Sequence, residues 1–175
     1  MASFLFSEVA FFSTLIVAYV TFHGKDPSGP TPAEVLSLPP VIVTTALLLS
    51  SSFTIHLAER ALVKAIGPSF LLWWSATIAL GVAFLAGTAK EWHELITAHG
   101  LTISRNLFGS TYYTLVGFHA LHVTAGVIAM SIVLFLALRR QIDAHQHEGI
   151  EMVAWYWHFV DVVWVVVFLV VYVGR

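Results

Sequence analysis

Five apolar stretches, each close to the roughly 20 residues that cross a hydrocarbon core, leave this 175-residue chain few ways to fold. They cover about 3–22, 40–63, 70–89, 108–138 and 153–173. A bilayer core offers no water to backbone N–H and C=O groups, so each stretch is read as an α-helix that satisfies its own. Breakers separate them. Gly24, Pro27, Gly29 and Pro30 stop the first, Pro39-Pro40 suits the opening turn of the second, and Gly67-Pro68 forces a turn before the third. The third is expected to run on as a wet amphipathic helix through Lys90-Glu91-Trp92-His93-Glu94, and 139–151 reads as a polar loop. No soluble domain has room between the spans. The expected fold is all-α: one integral membrane bundle of five transmembrane helices covering 1–175.

Composition agrees. Only 10% of the residues are charged, against roughly 25% in soluble domains. The formal net charge of -2 and the lack of a basic run give no sign of a nucleic-acid partner. Cysteine is absent, which excludes disulfides, thiolate metal centres and thioether-attached haem. The first residues lack a basic n-region, so the opening run is read as a mature span and not as a cleaved signal.

Function is to be sought in the few ionisable residues inside the spans. Glu8 stands early in the first, His56 and Glu59 in the second, His119 and His122 in the fourth, His158 and Asp161 in the fifth. Residues three apart share a helix face. A charge facing lipid costs at least ~2.5 kcal/mol, so these groups are expected to point inward and meet as one buried polar cluster. Three roles are open. The bland one is helix pairing, at ~0.6 kcal/mol per contact on average; the others are proton handling and metal or haem ligation. Di-iron bundles use Glu-x-x-His with further carboxylates, whereas His56-x-x-Glu59 has the reverse order and membrane-depth carboxylates are few. Two histidines on one face cannot reach opposite sides of a haem, so only a cross-helix pair, His119 or His122 with His56 or His158, would serve. No metal site is expected. Gly117, Ala120 and Thr124 read as a packing stripe. Trp73-Trp74, Trp92, Tyr112-Tyr113, Trp155 and Trp157 read as interfacial aromatics near span ends.

Three segments together resemble the subunit III family of the haem–copper oxidases, cytochrome c oxidase above all. Phe108-Gly109-Ser110-Thr111-Tyr112-Tyr113 followed by Gly117-Phe118-His119-Ala120-Leu121-His122-Val123 is similar to the family's signature in this span. His147-Glu148-Gly149-Ile150-Glu151 leading into Trp155-Tyr156-Trp157-His158-Phe159-Val160-Asp161-Val162-Val163-Trp164 is similar to its last-span signature. Phe4-Leu5-Phe6-Ser7-Glu8-Val9-Ala10-Phe11-Phe12 resembles the span that bears a membrane-embedded glutamate. The resemblance implies a short five-helix bacterial form with an accessory role. Such a subunit carries no haem or copper of its own and catalyses nothing. It packs on subunit I, belongs with subunit II and the other oxidase subunits, holds phospholipid and sustains proton uptake. Glu8 matches the buried glutamate, and Arg140 falls where an arginine meets lipid phosphate. Longer members have two more helices before the glutamate span, and Thr88 stands where many have glutamine.

Alternatives remain: the equivalent subunit of a quinol oxidase, a nitric-oxide-reductase-associated protein, or a small membrane haem protein with cross-helix histidine ligands. Cations divide evenly between the two sides, Arg60, Lys64, Arg139 and Arg140 against Lys25, Lys90, Arg105 and Arg175. The paired arginines favour a cytoplasmic N-terminus in a bacterial inner membrane.

Overall fold

The computed structural model describes residues 2–25, 35–63, 66–142 and 147–174. Lys64, Arg175 and most of the breaker stretch 24–30 lie outside them. Five helices follow: α1 Ala2–Phe22, α2 Leu38–Leu62, α3 Pro68–His99, α4 Leu107–Leu138 and α5 His147–Phe168, the last continued by a π-helical turn Leu169–Val173. Each is long and apolar enough to cross a membrane.

The helix ends follow from their residues. Gly24 takes φ +71 after α1, a left-handed conformation that glycine adopts without strain. Proline occupies the first turns of α2 and α3. Asn106 caps α4, its side chain accepting from the Gly109 amide at 2.7 Å. Two boundaries differ from expectation. The wet extension of the third span is unbroken helix to His99, closed by left-handed Gly100, whose neighbour Leu101 donates back to the Leu95 carbonyl. The fifth span is already helical at His147, six residues before its apolar run, and Glu148 there suits the positive end of the helix dipole.

Helices α2, α3, α4 and α5 pack in a closed ring, α5 returning onto α2, while α1 lies outside against α4 and the flank of α5. The ring centres on Trp157 of α5. Its indole is fully buried in a slot left by two glycines: a Cβ on Gly81 of α3 would stand 2.7 Å from the ring, and one on Gly126 of α4 2.8 Å. The indole N–H donates to Ser51 of α2 at 2.9 Å, so one side chain touches all four ring helices. Several aromatics placed at the interface by sequence are therefore core. Trp74 is fully buried and donates to the Met130 carbonyl at 2.9 Å. Tyr112 and Tyr113 are buried, and the Tyr113 hydroxyl donates to the Leu101 carbonyl. A ring with a polar tip serves a membrane interior whenever another helix supplies an acceptor. Trp155 does remain exposed.

Candidate functional site

The ionisable residues separate into groups instead of forming one cluster. Along α2 and α5, which run antiparallel, polar contacts form a seam. Trp164 donates to Thr45 at 3.0 Å, Trp157 to Ser51, Ser52 to Asp161, and His158 stands 3.4 Å from Glu59. The small hydroxyl residues of α2 lie where α5 brings large polar tips. His158 and Asp161 thus do share a face, and that face is spent on α2. His56 does not turn inward: its side chain is 50% exposed, with Nδ1 3.6 Å from Glu59.

The second group joins α1 to α4. His122 Nε2 lies 3.0 Å from a Glu8 carboxyl oxygen, and Nδ1 lies 2.7 Å from the Phe118 carbonyl oxygen. A carbonyl only accepts, so Nδ1 carries a proton. The contact with Glu8 then needs a second proton, held by Nε2 or by the carboxyl. In both arrangements the pair is neutral overall and holds one proton that can sit on either partner, which suits a low-dielectric setting. The side chains are 16% and 18% exposed, and the Phe12 ring packs edge-on to the imidazole. Tyr156 of α5 donates to the His122 carbonyl at 3.0 Å, tying three helices at this point. Glu8 is six residues into α1, about 9 Å from its start.

His119 stands alone. It is fully buried, and neither nitrogen has a hydrogen-bond partner among the described residues. Trp164, Phe84 and Phe12 enclose it, the first with its ring centre 4.8 Å away. No room is left beside that ring for a porphyrin, and both nitrogens of His122 are engaged. A haem held between His119 or His122 and a histidine of another helix, His56 or His158, therefore does not fit. Among the described residues no three metal-binding side chains are grouped to hold an ion.

Sequence reading missed a third group at the opposite end of the bundle. Tyr172 donates to Glu91 at 3.0 Å and lies 3.1 Å from the Tyr112 hydroxyl, so Tyr112 donates in turn to Tyr172. The π-helical turn sets this up. Its wider winding keeps Tyr172 on the inner stripe behind Trp164 and Phe168, where a regular helix would carry it onward. Glu91 also lines an open cavity of about 230 Å³ with Ser37, Glu94 and His99. Replacing Tyr172 by phenylalanine keeps the ring packing and strips Glu91 of its donor. The expected cost is about 1–3 kcal/mol, read as faster amide exchange in 169–173 with little change elsewhere.

Arg140 follows α4 with a left-handed φ of 54, its side chain exposed. Beside it an apolar groove of about 220 Å³ is walled by Val133, Leu136, Ile142, Gly149 and Ile150. A second apolar hollow of about 420 Å³, between Phe4, Ala125, Ala129, Met152 and Tyr156, adjoins it at Gly149.

Fold and polar pairs together define a polytopic helical membrane protein whose interior ionisable groups mostly answer one another across helices. The chain belongs to the cytochrome c oxidase subunit III family, whose pattern matches residues 1–174. It is similar to cytochrome c oxidase subunit 3 of Synechocystis sp., 40% identical over 176 residues, covering 97% of this chain and 72% of the relative. It is 36% identical over 172 residues to cytochrome c oxidase subunit 3 of Corynebacterium diphtheriae, covering 97% and 83%. It is 35% identical over 169 residues to cytochrome bo(3) ubiquinol oxidase subunit 3 of Pseudomonas aeruginosa, covering 97% and 80%. The resemblance seen in three segments therefore extends along the chain, which is a subunit III of a haem–copper oxidase.

Proposed function

We propose that this chain is the non-catalytic subunit III of a proton-pumping cytochrome c oxidase in a bacterial inner membrane, N-terminus cytoplasmic, associated with subunits I and II. The family match along residues 1–174 carries this reading. Its work is to steady subunit I, hold phospholipid and sustain proton uptake. The Glu8–His122 pair, neutral and holding one movable proton, supports the last of these. A second reading, the same subunit of a quinol oxidase, is favoured by the likeness to the Pseudomonas aeruginosa ubiquinol oxidase subunit. The test is to purify the complex through this chain in mild detergent and supply reduced cytochrome c or a quinol. Oxidation of cytochrome c is expected. Quinol oxidation alone supports the second reading, and a preparation without haem defeats both.

The adjoining grooves supply apolar walls for acyl chains, and Arg140 supplies a cation for a phosphate. Arg140→Ala is expected to leave less phospholipid in the purified complex, measured as phosphorus per haem. Unchanged phosphorus would remove Arg140 from the lipid site.

A further inference from the structure

Five oxidisable rings follow one another from the middle of the bundle to one end. Trp164 lies 6.4 Å from Tyr172, Tyr172 6.4 Å from Tyr112, Tyr112 5.2 Å from Tyr113, and Tyr113 5.2 Å from Trp92, centre to centre. Rings at these separations are in contact. The line begins on buried Trp164 inside the fifth span and ends on Trp92, which is partly exposed near the end of α3. Rings in contact also serve a core. What packing does not require is a place for a phenolic proton. Tyr113 and Tyr156 donate to backbone carbonyls, and Tyr19 has no hydrogen-bond partner among the described residues. Tyr172 donates to the carboxyl group of Glu91 at 3.0 Å, and Glu91 opens on the cavity it shares with Ser37, Glu94 and His99.

A phenol gives up an electron readily only when a base takes its proton in the same step. When an oxidant removes one electron from Trp164, an electron from Tyr172 refills the indole while the phenolic proton crosses to the Glu91 carboxylate. Tyr172 becomes a neutral radical and Glu91 a carboxylic acid, so no charge is stranded away from water. A soluble one-electron reductant, such as ascorbate or a thiol, then supplies an electron at Trp92. It passes inward through Tyr113 and Tyr112 to Tyr172, and the proton returns from Glu91. One electron leaves at Trp164, one enters at Trp92, and no proton is gained or lost.

We propose that Trp164, Tyr172, Tyr112, Tyr113 and Trp92 form an electron relay that quenches oxygen-derived radicals in the membrane interior and discharges them at the end of α3. That such radicals arise beside an oxygen-reducing partner rests on the oxidase reading above; the relay itself does not. The chain lacks cysteine, so Val166→Cys, at an exposed position two residues from Trp164, takes a single ruthenium polypyridyl photo-oxidant. The purified full chain is illuminated with a soluble cobalt(III) ammine as electron acceptor, and oxygen added at each ring is measured by mass spectrometry. Oxidation is expected at Trp92, well above that at Trp155, which is 63% exposed but off the line. Ascorbate should suppress the Trp92 product. Tyr172→Phe keeps the ring, and Glu91→Gln keeps an acceptor for Tyr172 but takes no proton; each should lower oxidation at Trp92 several-fold. Phe168→Leu, which alters the ring stacked on Tyr172, should leave it unchanged. Oxidation confined to Trp164, Trp155 oxidised as much as Trp92, either of the first two variants behaving like the parent, or an equal fall with Phe168→Leu would overturn the relay. Because the label supplies the oxidant, a failed relay leaves the oxidase reading standing, and a complex purified without haem would sink that reading alone.

Discussion

Trp157→Ala is expected to lower the stability of the bundle by about 3–5 kcal/mol, seen as a fall in the midpoint of thermal or detergent-induced unfolding. The indole lies between Gly81 and Gly126 and reaches Ser51, so alanine opens a void bordered by three other helices. Glycines cannot grow into the gap, and lipid gives no hydrophobic drive to close it, since dispersion contacts between helices are what hold the bundle. Trp157→Phe separates packing from hydrogen bonding. It keeps most of the contact, and Ser51 still donates to the Leu48 carbonyl, so the loss should fall to about 1 kcal/mol beyond the smaller ring. The slot can also be attacked from its wall. Gly126→Val would drive a side chain into the ring and cost about 1–3 kcal/mol. A Trp157→Ala midpoint equal to the parent's would show that the ring does not hold these helices together.

That slot illustrates what could and could not be read beforehand. The spans were legible because the bilayer sets helix length and forces internal hydrogen bonding, leaving breakers to mark the ends. Which face of each span meets which neighbour was not. Trp157 near the start of an apolar run looks like an interfacial anchor, and only the opposing glycines and Ser51 reveal it as core. The ionisable residues were found because charge is rare in such segments. Their sorting into pairs depended on helix adjacency: α1 on the outer side of α4 gives Glu8 to His122, and the return of α5 to α2 gives Asp161 to Ser52. Tyr172 and Glu91 were invisible for a different reason. The contact depends on a π-helical turn, and nothing in Leu169-Val170-Val171-Tyr172-Val173 marks a change of winding.

The pairs also differ in what they can do. The α2–α5 seam joins indoles and a carboxyl group to hydroxyls, contacts whose protons have fixed owners apart from the looser Glu59–His158 approach. It is suited to fixing register between two antiparallel helices. The Glu8–His122 contact is the closer of the two carboxyl–imidazole approaches between helices among the described residues, 3.0 Å against 3.4 Å. It holds a proton between two groups able to exchange ownership of it, and it lies at the junction of α1, α4 and α5. A role beyond packing is therefore to be sought there.

Glu8→Gln is expected to leave the initial turnover of the oxidase unchanged while activity decays several-fold faster during sustained turnover. The amide N–H of glutamine can donate to the His122 Nε2 lone pair, with Nδ1 still donating to the Phe118 carbonyl, so the helices stay joined. The movable proton is gone. Glu8→Ala removes both, leaving Nε2 without a partner at an added cost of about 1–3 kcal/mol in bundle stability. Comparison of the two variants separates the roles. If Gln matches the parent in unfolding midpoint and in decay rate, and Ala fails in both, the pair is only a fastener. If Gln matches the parent in midpoint but decays like Ala, the shared proton is what sustains turnover. Decay is followed as oxygen consumption over successive turnovers, and the midpoint on the same preparations, so loss of the subunit from the complex cannot pass for loss of the proton.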